Sequence, residues 1–313
     1  MVDLSVTVGT LKLGNPIMPA SGTFAEGLCQ IVPFDRLGAL VTKSFTAELR
    51  GGNPTPRVQE IPSGMLNSIG LPSMGVEYFI NEVVPFYRQF NPPLVASVSA
   101  PTVDAFGEIA AQIDVSGVAA IEANISCPNI EEDGRAFAMD ARSTSAVISQ
   151  MRSKTRLPIW AKLTPNTGDC AAIARAAEDA GADAVVVANT ILAMSIDIET
   201  FKPRLGNVLG GLSGPAVKPI ILRMAYQCAR AVSIPVIGSG GVSTAEDAVE
   251  YLLAGATAVQ VGTATFVEPS AMIEIVDGLA AYCRRKGLAR ISDIIGAVND
   301  GGERATELIA QSM

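Results

Sequence analysis

The sequence contains no histidine. That absence removes the commonest general base and the commonest metal ligand, and it excludes Ser-His-Asp catalysis; any acid-base step falls to Cys, Lys, Tyr, Asp or Glu. The five cysteines, Cys29, Cys127, Cys170, Cys228 and Cys283, are scattered, with no C-x-x-C pair and no metal-ligand spacing. This points to a reducing cytoplasm and to a chain that by itself holds neither structural zinc nor an iron-sulfur cluster. There is no basic segment followed by a signal-like apolar run, and no apolar stretch approaches the ~18 residues expected of a membrane helix. A soluble, cytoplasmic protein without membrane association is expected. Charged residues are only 17% of the chain, and 23 basic against 31 acidic side chains give a formal charge of -8. Such a field repels phosphate backbones and anionic membranes, so nucleic acid is not an expected partner.

What is present is a hydrophobic fraction of 49%, with 29 Gly and 19 Pro in 313 residues. That composition suits buried parallel strands joined by tight turns, and the length suits one large α/β domain spanning 1–313. Eight short apolar runs read as strands: 15–20, 39–43, 94–98, 119–124, 158–163, 184–189, 235–238 and 258–261. Helical signals fill most of the later gaps, at 143–152, 169–180, 214–232, 243–253 and 270–286. Eight alternating strands and helices predict a parallel α/β fold closed into a (β/α)8 barrel, with a doubly wound open sheet as the alternative. Residues 4–13 alternate around Gly9 and Thr10 and predict a small hairpin capping one end. Two long connections, 45–93 and 190–214, interrupt the rhythm and are lid or binding-site candidates.

Chemistry concentrates at the strand ends. The run 121–130, Ile-Glu-Ala-Asn-Ile-Ser-Cys-Pro-Asn-Ile, reads as a buried strand that delivers Asn124 and then Cys127 into a loop fixed by Pro128. A thiol, with a reference pKa of ~8.5, exchanges protons near neutrality far more readily than the hydroxyl of Ser126. The bland alternative is a buried, inert Cys. Asn124 and Asn129 can each donate and accept, as a ligand with alternating carbonyl and N-H groups requires. Lys43 and Lys162 end apolar runs where a cation is costly without an anionic or electron-rich partner, and Asn124 and Asn189 end strands in the same way. Glycine turns follow the last two strands, at 238–241 and 261–263, where barrels often bind phosphate. Neither fits a dinucleotide fingerprint, so a mononucleotide is the better fit. The stretch 62–71 admits two readings: an ordinary excursion, or a cradle in which Asn67 and the backbone of Ser68, Ile69, Gly70 and Leu71 receive an anion.

Nine motifs in order resemble those of the dihydroorotate dehydrogenases, and within them the class 1B catalytic subunit. They are Met-Pro-Ala-Ser-Gly (18–22), Thr-Lys-Ser (42–44), Pro-Ser-Gly-Met-Leu-Asn-Ser-Ile-Gly-Leu (62–71), Asn-Ile-Ser-Cys-Pro-Asn (124–129), Lys-Leu-Thr-Pro (162–165), Ala-Asn-Thr (188–190), Gly-Gly-Leu-Ser-Gly-Pro-Ala (210–216), Gly-Ser-Gly-Gly (238–241) and Val-Gly-Thr (261–263). The resemblance implies a (β/α)8 barrel with long βα insertions over a C-terminal face that carries one FMN. It implies oxidation of dihydroorotate to orotate in pyrimidine biosynthesis, with Cys127 as the base at C5 while C6 passes hydride to N5 of FMN. Lys162 is then the cation beside the flavin, where developing charge is stabilised. Lys43, Asn67, Asn124, Asn129, Asn189 and Thr190 match substrate positions, and the segment Ser68, Ile69, Gly70 and Leu71 receives the orotate carboxylate. Ser21, Lys43, Ser44, Asn124, Ala188, Gly214, Gly240, Gly241, Gly262 and Thr263 match flavin and phosphate contacts.

Subclass follows from detail. Quinone-dependent relatives carry Ser at the position of Cys127, and fumarate-using class 1A members tend to read Lys-Leu-Pro-Pro where this chain has Lys-Leu-Thr-Pro. Dihydropyrimidine dehydrogenases usually continue Ser-Cys-Pro with His, where this chain has Asn129. Class 1B implies a homodimer of catalytic subunits joined to a second subunit carrying FAD and a [2Fe-2S] cluster, a heterotetramer that passes electrons to NAD. The chain departs from the pattern at Ser97, where class 1B members commonly have a flavin-contacting Asn, and in the acidic run at 131–138. The alternatives are a class 1A fumarate-dependent dihydroorotate dehydrogenase or a dihydropyrimidine dehydrogenase-like flavoenzyme, then a non-redox barrel acting on a sugar phosphate, and a catalytically silent barrel kept to bind a partner, against which intact Cys127, Lys43 and Lys162 argue.

Overall fold

The computed structural model describes residues 2–126 and 136–299. Each of the eight apolar runs forms a strand: β1 (Ile17–Pro19), β2 (Leu40–Val41), β3 (Leu94–Val98), β4 (Ala120–Asn124), β5 (Ile159–Lys162), β6 (Ala184–Val187), β7 (Val236–Ser239) and β8 (Ala256–Val261). They make one eight-stranded parallel sheet in the order β1-β8-β7-β6-β5-β4-β3-β2. At the seam the Gly38 N-H donates to the Ile17 carbonyl at 2.7 Å. A Cβ on Gly38 would lie 2.0 Å from the Asn15 carbonyl oxygen, so only glycine lets β1 and β2, the two ends of the sheet order, approach. The result is a (β/α)8 barrel rather than an open sheet. All residues of β3, β4 and β5 are buried, as expected where helices cover one face and the barrel interior the other.

The outer layer comprises α1 (76–87), α2 (Val103–Gln112), α3 (Ala141–Arg152), α4 (Cys170–Asp179), α5 (Lys218–Ala231), α6 (Ala245–Leu253) and α7 (Ala271–Lys286). Local chemistry sets several boundaries. Asp140 and Asp169 cap α3 and α4 with their carboxylates, Thr244 and Asp247 form a capping box on α6, and Gly287 ends α7 at φ 66. The first crossover uses two short 3-10 turns, Glu26–Gln30 and Phe34–Arg36, in place of a helix. The expected hairpin pairs Val6–Val8 with Leu11–Leu13, and Gly9 at its tip packs against Asp183, at the N-terminal end of the barrel beside β6.

Two features differ from the sequence reading. Helix α2 carries Gly107 in its interior, which weakens the helical signal; a Cβ there would meet the Gln150 side chain at 2.9 Å, so the glycine serves close packing of α2 on α3. The two long connections are not loops throughout. They contribute Ile191–Met194, Leu209–Ser213, Gly64–Asn67 and Val58–Ile61, in that order, to a four-stranded antiparallel sheet. Pro62 and Ser63 form its hairpin turn, with Ser63 at φ 58. Among the described residues no helix is long and apolar enough to cross a membrane.

Candidate active site

A cavity of about 920 Å³ opens between the C-terminal strand ends and the inserted antiparallel sheet, at the upper end of the ~300–1,000 Å³ usual for small-molecule sites. Strand ends supply its floor: Ser21, Lys43, Ser44, Asn124, Lys162, Ala188, Asn189, Gly240, Gly241, Gly262 and Thr263. The insertions supply its roof, with Met65, Asn67, Ser68, Ile69, Gly70, Leu71 and the run from Leu209 to Gly214, and Thr190 joins the two. Every expected site residue among the described ones therefore lines a single cavity. Cys127 and Asn129 lie outside the described residues. Ser126 and Ala136, which flank that segment, both line the cavity.

Beneath the floor runs a continuous polar chain. Asn189 Nδ2 donates to Ser126 Oγ at 2.8 Å, and Ser126 Oγ donates to Asn124 Oδ1 at 2.8 Å. Asn124 Nδ2 donates to Ser44 Oγ at 3.0 Å, and Ser44 Oγ lies 2.8 Å from Ser97 Oγ. Ser97 in turn donates to Glu122 Oε1 at 2.9 Å, while Gln260 Nε2 donates to Glu122 Oε2 at 2.6 Å. On the other side Lys162 Nζ donates to Gln260 Oε1 at 3.0 Å and to Ser21 Oγ at 3.2 Å, and lies 3.5 Å from Glu122 Oε1. Ser97 and Glu122 are 0% exposed, Gln260 1% and Lys162 4%. A lysine ammonium has three N-H donors. Two are committed to Ser21 and Gln260, and the Glu122 carboxylate lies beside the same nitrogen.

The glycine turns after β7 and β8 have a structural reason of their own. Helix α6 places Tyr251 beneath the first: a Cβ on Gly238 would fall 2.3 Å from its ring, and its hydroxyl donates to the Gly240 carbonyl at 2.7 Å. Burial pushes the Tyr251 hydroxyl above its ordinary range, so it remains a neutral donor. A Cβ on Gly240 would meet Ile221 at 2.8 Å, and one on Gly241, at φ 71, would meet the Lys218 backbone nitrogen at 2.8 Å and the Gly214 carbonyl at 2.9 Å. Thr263 Oγ1 donates to Ser213 Oγ at 2.8 Å, tying the β8 turn to the inserted sheet. Among the described residues no acceptor takes the backbone N-H of Gly240, Gly241, Val242, Gly262 or Thr263. Val242 is buried and the others are partly buried, so these donors call for a partner that the described residues do not provide. Successive backbone N-H groups left unpaired beside a cavity are donors suited to an anion.

The stretch 67–71 has the same character. Asn67 Nδ2 donates to the Gly211 carbonyl at 3.3 Å, and the Ser68 hydroxyl accepts from Asn53 and Asn207. Asn53 N donates to the Ile69 carbonyl and Arg50 Nε to that of Gly70, so the carbonyls are tied back into the protein. The N-H groups of Ile69, Gly70 and Leu71 reach no acceptor among the described residues. Gly70 and Leu71 adopt φ 79 and 53, left-handed backbone that turns consecutive N-H groups to one side. Of the two readings of this stretch, the anion cradle is the one this geometry favours.

Sequence reasoning missed Glu122, Gln260, Ser126 and Asn166. Asn166 lines the cavity and braces it, donating to the Thr190 carbonyl at 3.1 Å and accepting from the Leu192 N-H at 2.8 Å. The available signal was a polar residue inside each of two apolar strands, Ala-Ile-Glu-Ala-Asn and Ala-Val-Gln-Val. Ser97, where class 1B members commonly have a flavin-contacting Asn, does not line the cavity.

These features define a barrel enzyme with a small-molecule site at its C-terminal face and an anion-receptive floor. A family model described as dihydroorotate dehydrogenase matches residues 3–282. The chain is 49% identical over 298 residues to the dihydroorotate dehydrogenase B (NAD(+)) catalytic subunit of Trichlorobacter lovleyi, covering 94% of this chain and 98% of that one. It is 47% identical over 301 residues to the protein of that name from Desulforamulus reducens, and 45% identical over 301 residues to that from Bacteroides fragilis, each match covering 95% of this chain and 99% of the relative. The chain belongs to the dihydroorotate dehydrogenase family, whose members are flavin-dependent oxidoreductases.

Proposed function

We propose that this chain is the catalytic subunit of an NAD-linked dihydroorotate dehydrogenase that oxidises dihydroorotate to orotate over one FMN. The observation that carries this reading is the convergence of two sets of unpaired N-H groups and one buried lysine on a single cavity. FMN supplies a two-electron acceptor. Gly240, Gly241, Gly262 and Thr263 hold its phosphate, with Gly214 packed against that turn. Ser21, Ser44, Ala188 and Lys162 line the ring site, and the Lys162 ammonium favours electron density arriving there. Lys43 and Asn124 serve both cofactor and substrate.

The substrate carboxylate sits against Ile69, Gly70 and Leu71, with Ser68 shaping that segment. Asn67, Asn124, Asn129, Asn189 and Thr190 fix the ring by its alternating amides and carbonyls. Cys127 takes the proton from C5, since it follows Ser126 at the cavity edge and a thiol exchanges protons near neutrality. The relatives' name carries the words catalytic subunit and NAD(+). That wording supports a partner subunit; in this proposal, which follows the class 1B resemblance, the partner bears FAD and a [2Fe-2S] cluster, electrons leave through it, and two catalytic barrels pair within a heterotetramer.

Two observations test this reading. The purified chain should carry about one FMN and, with dihydroorotate, reduce an artificial dye but not NAD; adding the partner should restore NAD reduction. A colourless chain that takes up no FMN would refute the cofactor assignment. Robust NAD reduction by the chain alone would refute the need for a partner, and efficient fumarate turnover would move the chain to class 1A.

A further inference from the structure

Among the described residues the only buried charged side chains are Glu122 and Lys162. They occupy the barrel interior, which in this fold is usually filled by branched aliphatic residues. Replacing a buried ion pair by well-packed apolar residues is commonly neutral or stabilising, so stability alone does not account for it. Location is more informative. Lys162 lines the cavity, whereas Glu122, Gln260 and Ser97 lie below its floor. The hydrogen bonds share one direction: Asn189, Ser126, Asn124, Ser44 and Ser97 each pass a donor toward Glu122, and Lys162 does so through Gln260. Gln260 cannot be reversed without setting its NH2 against the ammonium and its carbonyl against the carboxylate.

We propose that Glu122, with Gln260 as its bridge, is a positioning residue that fixes the place and the uncompensated charge of Lys162 at the cavity floor, and thereby sets the reduction potential of the bound flavin. This rests on the placement of FMN beside Lys162 proposed above. The carboxylate 3.5 Å from Nζ offsets much of the ammonium's field at the cavity, and the bridge holds Nζ in place. Removing the negative charge while keeping the side-chain volume leaves a net cation under the flavin, which favours the reduced cofactor.

The test is an anaerobic equilibrium of the FMN-loaded chain with a reference dye, every variant being measured at the same pH. For Glu122→Gln the equilibrium should move tenfold or more toward reduced flavin, a rise of about 30 mV for a two-electron couple. Glu122→Asp, which keeps the charge but withdraws it, should move it the same way by less. Lys162→Met should move it in the opposite direction. A purely structural Glu122 would lower the melting temperature of its variants without moving the potential, and that result overturns the proposal. If Glu122→Gln does not fold, Glu122→Asp decides: a shift toward reduced flavin supports the proposal and an unchanged potential overturns it. An unchanged potential in Lys162→Met overturns the placement of flavin beside Lys162. A shift in Lys162→Met with none in the Glu122 variants overturns only the role of Glu122.

Discussion

Gly241→Ala separates the structural from the binding role of the β7 turn. The added Cβ would fall 2.8 Å from the backbone nitrogen of Lys218 and 2.9 Å from the Gly214 carbonyl, both main-chain atoms that cannot rotate away. Its φ of 71 adds the cost of a left-handed residue with a side chain, ~1–2 kcal/mol, and forced overpacking adds ~1–3 kcal/mol. A total of about 2–5 kcal/mol is a large share of a ~5–15 kcal/mol stability but leaves a folded protein. At ~2.1 cal/mol/K of unfolding entropy per residue, a chain of 313 residues loses ~1.5 °C per kcal/mol, so the melting temperature should fall by roughly 3–8 °C. The same displacement moves the N-H groups of residues 240–242, so the ligand-linked part of stability should go too. For the wild type that part is ~2.7 kcal/mol at FMN a hundredfold above its dissociation constant. Calorimetric melts with and without FMN read both effects, with Gly168→Ala as control, because a Cβ at that exposed loop position meets nothing within 4 Å. The reasoning fails if Gly241→Ala melts with the wild type and keeps the full FMN-induced shift.

Tyr251→Phe removes the hydroxyl that donates to the Gly240 carbonyl, so it should cost ~1 kcal/mol of stability and weaken FMN binding severalfold, read by calorimetry and by flavin fluorescence. Acid should loosen the same turn. Burial alone would raise the Asp247 carboxyl, but hydrogen bonds from the Lys218 ammonium and from the backbone of Ser243 and Thr244 hold it below its ordinary 3.8. A depressed carboxyl stabilises fully above its ordinary value and loses that contribution as pH falls through its lower native value. Asp247→Asn should therefore lower the melting temperature near neutrality and make the remaining stability less sensitive to acid as pH falls below about 4. Asn67→Ala should raise the KM for dihydroorotate more than it lowers kcat in steady-state assays, since a ring-positioning amide acts on ground state and transition state alike.

Much of the fold and most of the floor were legible in the sequence because parallel strands bury both faces and read as uninterrupted apolar runs. Lys43, Asn124, Lys162 and Asn189 stood out for the same reason, as polar side chains ending such runs. Glu122 and Gln260 did not. A lone Glu or Gln within a strand normally marks a solvent face, and only barrel closure, sealed where Gly38 meets Ile17, turns those positions inward. The inserted sheet was hidden differently: its strands are partly exposed and carry glycines at 64, 210 and 211, whose Cβ atoms would strike Ser213, Asn67 and Thr190. Close approach of backbone at 64 and 210 and of the Thr190 side chain at 211 demanded glycines that sequence reads as loop. Helix α2 was obscured in the same way by Gly107.

The central claim is that dihydroorotate is oxidised by a flavin at this cavity, with Cys127, next in sequence to the cavity-lining Ser126, as the base. Anaerobic stopped-flow mixing of the FMN-loaded chain with dihydroorotate, following flavin absorbance, tests it most directly. The wild type should bleach within a single turnover. Cys127→Ala should still bind FMN and orotate but bleach ~10²–10⁴-fold more slowly, the range for loss of a general base. Flavin that stays oxidised in the wild type would contradict the proposed activity, and a Cys127→Ala chain that bleaches at the wild-type rate at neutral pH would contradict the role of Cys127.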